Sequence, residues 1–192
     1  MHHDGVDFKC FNGPNPENQQ QVEWRACPFD PSHKSHKFKS AGLRHGISTC
    51  IQTGEIVSCH GPFPAGVWHD LTICRTHVKP KLAPGEMVEA DAGHCGDETV
   101  RQPKDCHCRS EKTAKKRVAS RHEAMNGRLE NFRCLRNQFR HDRHEHKHCF
   151  HTAAVTTQLM MKKHGQCPVS HWSLIQKCHC VSTSDHGTNA IL

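Results

Sequence analysis

One stretch constrains the fold more than any other. From about Thr113 the apolar residues Ala114, Val118, Met125, Leu129, Phe132 and Phe139 recur at spacings of 4, 7, 4, 3 and 7. That spacing keeps one face of a helix apolar, and it predicts a single amphipathic helix of nearly thirty residues, weakened only at Gly127. A second helix is predicted over roughly 145–163 from Phe150, Ala153, Ala154, Thr157 and Met161. Upstream, Leu43, Ile47, Cys50 and Ile51, the turn signal Thr53-Gly54 and then Ile56-Val57 read as two short strands in a hairpin, which Gly61-Pro62-Phe63-Pro64 ends. Leu71, Cys74 and Val78 form the stripe of a short helix closed at Pro80, with Asp70 capping or charging its first turn. Met87–Asp91 is a strand-like run between Gly85 and Gly93, followed by loop over 94–110. Residues 12–33 hold breakers and polar residues without periodicity, hence an irregular loop. Early strands followed by long C-terminal helices indicate an α/β layered domain over 1–165, with an irregular tail over 166–192.

Composition excludes some classes of function. No apolar run approaches the roughly 18 residues that cross a bilayer, so no membrane span is expected. Met1-His2-His3-Asp4-Gly5 carries no apolar signal segment, and an intracellular, reducing location is the expectation. The 13 cysteines are therefore read as mostly free thiols. With 20 His and no Tyr, two readings stand. One is a zinc module built from Cys106-His107-Cys108, Cys178-His179-Cys180 or the cluster His144, His146, His148, Cys149 and His151. The other, adopted here, is that Tyr codons have drifted to His and Cys codons; no Cys-x-x-Cys pair exists to support a ligand set.

Acidic residues at element ends are the candidates for chemistry. Asp4 lies in His3-Asp4-Gly5-Val6-Asp7-Phe8, Asp91 ends the short strand, and Glu123 follows His122 on the long helix. Hard divalent cations want oxygen ligands, and phosphoryl chemistry commonly uses two such ions held by convergent carboxylates.

An ordered set of motifs bears on these acids: His36-Lys37-Phe38-Lys39, Gly42-Leu43-Arg44, Gln52-Thr53-Gly54-Glu55-Ile56-Val57, Gly61-Pro62-Phe63-Pro64-Ala65-Gly66-Val67-Trp68-His69-Asp70, Glu89-Ala90-Asp91-Ala92-Gly93-His94, Arg121-His122-Glu123-Ala124-Met125-Asn126 and Phe139-Arg140-His141-Asp142. In this order the set resembles the Harbinger-type DDE transposase endonuclease family. The resemblance implies an RNase H-like mixed sheet with flanking helices and two long C-terminal helices. It also implies divalent-metal-dependent DNA cleavage and strand transfer using Mg²⁺ or Mn²⁺, with Asp4, Asp91 and Glu123 as catalytic metal ligands. Asp70 also matches a family position. The 31 residues between Asp91 and Glu123 suit the family, whereas His94 and His45 stand where it carries Tyr or a similar aromatic. Nuclear residence, and either a homo-oligomer or a separate DNA-binding partner protein, are further implications. Only three residues precede Asp4, so a truncated first strand that frays and cleaves poorly is expected.

Charge points to the same ligand. Between Arg109 and Arg143 eleven Lys and Arg stand against four Asp and Glu, which accounts for the whole formal charge of +7. Phosphate contacts are expected from Lys112, Lys115, Lys116, Arg117, Arg121 and Arg140, and from Lys37 and Lys39 in the His33–Lys39 run. A non-catalytic remnant that only binds nucleic acid is the alternative.

Overall fold

The structure, a computed structural model, describes residues 1–10 and 30–164. Most of the predicted loop, the tail and the pair Cys178 and Cys180 lie outside the described residues. Five strands, β1 (His2–Lys9), β2 (Gly42–Thr49), β3 (Ile56–Pro64), β4 (Val88–Glu89) and β5 (Val100–Arg101), form one sheet in the order β3-β2-β1-β4-β5. The first three are antiparallel; β4 and β5 continue the sheet in parallel with β1. With helices on the sheet this is the α/β, RNase H-like architecture that was expected.

β1 is central and alternates. Val6 and Phe8 point to one side with Ile47, where they meet Met125, Leu129, Leu135, Phe150, Ala153 and Ala154 from the C-terminal helices. Gly5 and Gly46 face the other side, beneath α1 (Asp70–Ile73). A Cβ at Gly46 would stand 2.6 Å from Ile73 Cγ2, and one at Gly5 would overlap the Asp70 carboxylate. Glycine at both positions is what lets this short helix sit down on the strands. After Ile73 the chain widens through Cys74–Val78 and closes at Lys79–Lys81, packing Cys74 and Val78 on Val88, Ala90 and Val100.

The fraying expected of β1 is not found. Every residue from His2 to Lys9 pairs with β2, the Met1 carbonyl accepts from Glu89 N–H at 2.7 Å, and the terminal amine donates to Met87 O at 3.1 Å. His2 and His3 are buried; His2 Nδ1 meets His122 Nδ1 at 3.1 Å, and His3 Nδ1 meets Ser48 Oγ at 2.9 Å. Burial drives both imidazoles far down, to about 2 and about 3, so they fill these positions as neutral rings.

Three sequence expectations need correction. The predicted long helix ends early: α2 spans Arg109–Glu130, a short α3 spans Arg133–Arg136, and Phe139 N–H donates to Lys9 O at 2.9 Å. Apolar spacing reports which residues reach the core, and Phe132 and Phe139 both do, but it is blind to a break between them. The predicted loop 94–110 contains β5 and the turn Pro103–Asp105, because a two-residue strand holds too few residues to show alternation. β3 runs on through Gly61 and Pro62 to Pro64; it is an edge strand, where a missing N–H leaves no partner unsatisfied. Of the two roles expected of Asp70, the structure gives it the second, an acid in the first turn of α1, with His69 at the cap. The final helix, α4 (Glu145–His164), falls where the spacing places it.

Candidate active site

Asp4 sits mid-sheet opposite Ile47, its Oδ1 accepting from Gly5 N–H at 2.9 Å. On the other side of the strand, Asp70 hangs its carboxylate over Gly5. Arg44 fixes that side: it grips buried Asp7 through Nε at 2.6 Å and Nη2 at 3.0 Å, and donates from Nη1 to Trp68 O at 3.0 Å. The same Nη1 lies 3.4 Å from Asp70 Oδ1, which is out of solvent and has no hydrogen-bond partner among the described residues. Asp91 follows β4 directly. Its side chain is 67% exposed, while Oδ1 accepts from Gly93 N–H at 2.9 Å and pairs with Nδ1 of fully buried His94 at 2.8 Å. Glu123 projects outward from α2.

Two buried clusters set where α2 holds Glu123. His122 Nδ1 lies 3.1 Å from His2 Nδ1 and 3.2 Å from Thr49 Oγ1, which ties the helix to β1 and β2 two residues before Asp4. Two turns earlier, Lys115 Nζ donates to Glu89 Oε2 and to Arg101 O at 2.6 Å, and Arg101 bonds Glu89 at 3.4 Å and Glu111 at 2.9 Å. Glu111 also takes the His107 N–H at 2.8 Å and the Cys108 N–H at 3.4 Å, closing the first turn of α2. This network joins the strand that delivers Asp91 to the helix that carries Glu123. Neither cluster is visible in the sequence as a motif; the only signal is the placement of Glu89 and His122 beside the two acids.

The acids share one electrostatic environment. Burial, then the charges of Asp70, Asp91 and Glu123, push the Asp4 carboxyl up to about 7. Asp70 is raised as well, by burial first, with Arg44 and His94 pulling against it. Among the described residues no three His, Cys, Asp or Glu side chains close on one point as a finished ion cage. The donor chemistry nevertheless fits a hard cation: all four are carboxylates, one with a buried oxygen that no hydrogen bond among the described residues satisfies, and their charges raise Asp4.

The basic residues divide. Lys37, Lys39, Lys112, Lys116, Arg117 and Arg140 are exposed, and Lys116 stands seven residues, nearly two turns, before Glu123 on the same face of α2. Lys115 is a correction: it is buried in the Glu89–Arg101 network and turned away from any phosphate. Arg121 is drawn to the β2–β3 turn, donating to Ile51 O at 3.0 Å. The zinc candidates scatter: His146 is buried against Phe8, Phe139 and His45, whereas His144, His148 and His151 are exposed, and Cys106 is buried beside exposed His107.

A mixed sheet with acids on its central strand, after its fourth strand and on the following helix is now in view, and residues 7–158 match the DDE superfamily endonuclease family. The chain belongs to that family. Asp70, Asp91 and Glu123 lie within the matched stretch of this DDE endonuclease domain, and Asp4 lies three residues ahead of it. No curated protein and no solved structure matches the chain. Among the described residues no helix of the DDE domain is long and apolar enough to cross a membrane.

Proposed function

We propose that this DDE domain is a Harbinger-type transposase nuclease that cuts and transfers DNA strands with Mg²⁺ or Mn²⁺ held by Asp4, Asp91 and Glu123, and by Asp70 beside them. The observation that carries the reading is Asp4. Its carboxyl is raised to about 7 by burial and by three other carboxylates, a state that a bound dication relieves. Two divalent ions in such a site supply an attacking water or 3′-hydroxyl of lowered pKa and neutralise the leaving oxygen. The chain supplies the frame. Gly5 N–H orients Asp4, His94 holds Asp91, and His122 and Lys115 fix the height and rotation of Glu123. Lys112, Lys116 and Arg117 offer charge to the DNA backbone along α2. The same reading places the domain in the nucleus, with target choice left to a second copy or to a separate DNA-binding protein.

The decisive experiment is nicking of supercoiled plasmid with Mn²⁺, comparing the parent with Asp4→Asn, Asp91→Asn and Glu123→Gln. Metal-dependent nicking lost in all three supports the assignment. Salt-sensitive DNA binding without nicking would favour the non-catalytic remnant.

A further inference from the structure

On the α1 side of the sheet stands a feature that the carboxylates do not use. Phe63 on β3 and Trp68 in the following loop are stacked, centroids 4.4 Å apart and planes 19° apart. His77, in the wide turn after α1, lies nearly parallel to Phe63 at 5.2 Å and 22°, to Trp68 at 5.8 Å and 27°, and to His60 at 5.0 Å and 16°. In the core the rings of His45, His146 and Phe150 are tilted to Phe8 by 42–69°, and His45 and Phe150 lie flat on one another. Those core rings are buried, whereas the four near-parallel rings are each only half-buried, on the edge strand of the sheet, with Val67 57% exposed beside Trp68.

The row abuts the acids. Phe63 is the register partner of Arg44, which bonds the Trp68 carbonyl and reaches toward Asp70, two residues further on. Cations flank it. Lys81 is exposed and close enough to help burial push His60 down to about 4, which leaves that ring neutral. On the other flank Gly66 N–H donates to Ser32 O at 2.8 Å, which brings exposed Lys34 alongside. Parallel aromatic faces flanked by positive charge are how proteins hold unpaired bases with little regard to sequence.

We infer that Phe63, Trp68 and His77 form a stacking shelf for an unpaired base of the DNA strand whose backbone lies at Asp70 and Asp4. The inference rests on the nuclease reading and adds to it the form of the substrate: an opened or single-stranded end next to the phosphate that is cut. An intact duplex would leave the shelf unused.

The test uses the full chain, Ca²⁺ in place of Mn²⁺, and two fluorescein-labelled 20-base-pair duplexes, one blunt and one with a three-nucleotide single-stranded end. Anisotropy should show the open end bound about tenfold more tightly, within what one stacked base contributes. The readout is the ratio of the two affinities. Trp68→Phe should keep it, and Trp68→Leu should bring it to about one. Tryptophan emission gives a check that needs no folded Leu variant: the open-ended DNA should quench the parent more than Trp68→Phe. Equal affinity of the parent for both DNAs, an unchanged ratio in Trp68→Leu, or equal quenching of the parent and Trp68→Phe overturns the shelf while leaving the nuclease intact. A parent that binds neither DNA overturns both.

Discussion

Acidification should destabilise this fold along a path that its buried histidines set. Burial holds His2 at about 2, His3 at about 3, His122 and His146 at about 4, and His45 well below the usual value. A depressed folded pKa means the unfolded chain takes up the proton first. The stabilisation is therefore intact above the unfolded value, about 6.5, and is lost as pH falls below it. His2 with His122, 3.1 Å apart, and His45 with His146, 3.0 Å apart, each share one N···N hydrogen bond, but both rings of a pair stay neutral in the fold and both take up a proton on unfolding, so five groups count, with His3 the fifth. Between pH 6.5, the unfolded midpoint, and pH 5 each of the five loses about 1.5 kcal/mol, roughly 8 kcal/mol together. Asp4 acts in the opposite direction. Its folded value, about 7, lies above that of an unfolded carboxyl, so the folded state takes up this proton first and gains about 2 kcal/mol over the same window.

The net loss is about 6 kcal/mol, a large part of the roughly 5–15 kcal/mol that holds a domain folded, and equivalent to a fall of roughly 12–24 °C in Tm. Asp4→Asn removes the opposing contribution and should deepen the loss to about 8 kcal/mol. Circular dichroism melts at half-unit steps from pH 7 to 5 measure both. A Tm that is flat or rising between pH 6.5 and 5 would refute the burial of neutral imidazoles. An Asp4→Asn profile no steeper than the parent's would refute the raised carboxyl.

Three further outcomes follow from the same geometry. Lys115→Ala strands Glu89 beside Arg101 and should cost about 3 kcal/mol in denaturant melts without moving the salt dependence of DNA binding, whereas Lys116→Ala with Arg117→Ala should leave stability alone and flatten that log–log slope by about 0.9–1.8. Gly5→Ala should destabilise by about 1–3 kcal/mol, because its methyl group displaces the Asp70 carboxylate; a melt identical to the parent's would mean that Asp70 does not sit over the strand. Mn²⁺ at a hundred times its Kd should raise stability by about 2.7 kcal/mol in thermal melts, with the gain gone in Asp91→Asn; an equal gain in that variant removes Asp91 from the site.

The fold was legible where long-range packing and local periodicity agree. α4 was readable because Phe150, Ala153, Ala154, Thr157 and Met161 all face the sheet and nothing interrupts them. The β2–β3 hairpin was readable because its turn chemistry sits between two apolar runs. The end of α2 was not, since Leu129, Phe132 and Leu135 reach one core cluster, and Phe139 a second, from three backbone segments. β5 exists because β4 offers it a parallel partner at Val88 and Glu89, a property of the sheet and not of residues 100 and 101.

The candidate site was legible only as chemistry: four acids could be named, but not what positions them. Lys115 shows why. On a helix rich in Lys and Arg nothing local separates a lysine that faces solvent from one that faces Glu89, and only the register of α2 against β4 and β5 decides. The histidines show the converse. Their abundance left metal ligands as the reading not adopted, and His45 lies flat on Phe150 at 3.8 Å and 18°, while His146 packs on Phe8 and Phe139, as neutral aromatic fillers do. An imidazole in such a place keeps the ring contact of a larger aromatic while bringing two nitrogens that need partners. His45 and His146 satisfy one nitrogen each by facing one another and leave the second buried without one. The histidines packed as neutral rings in this core therefore also make it acid-sensitive.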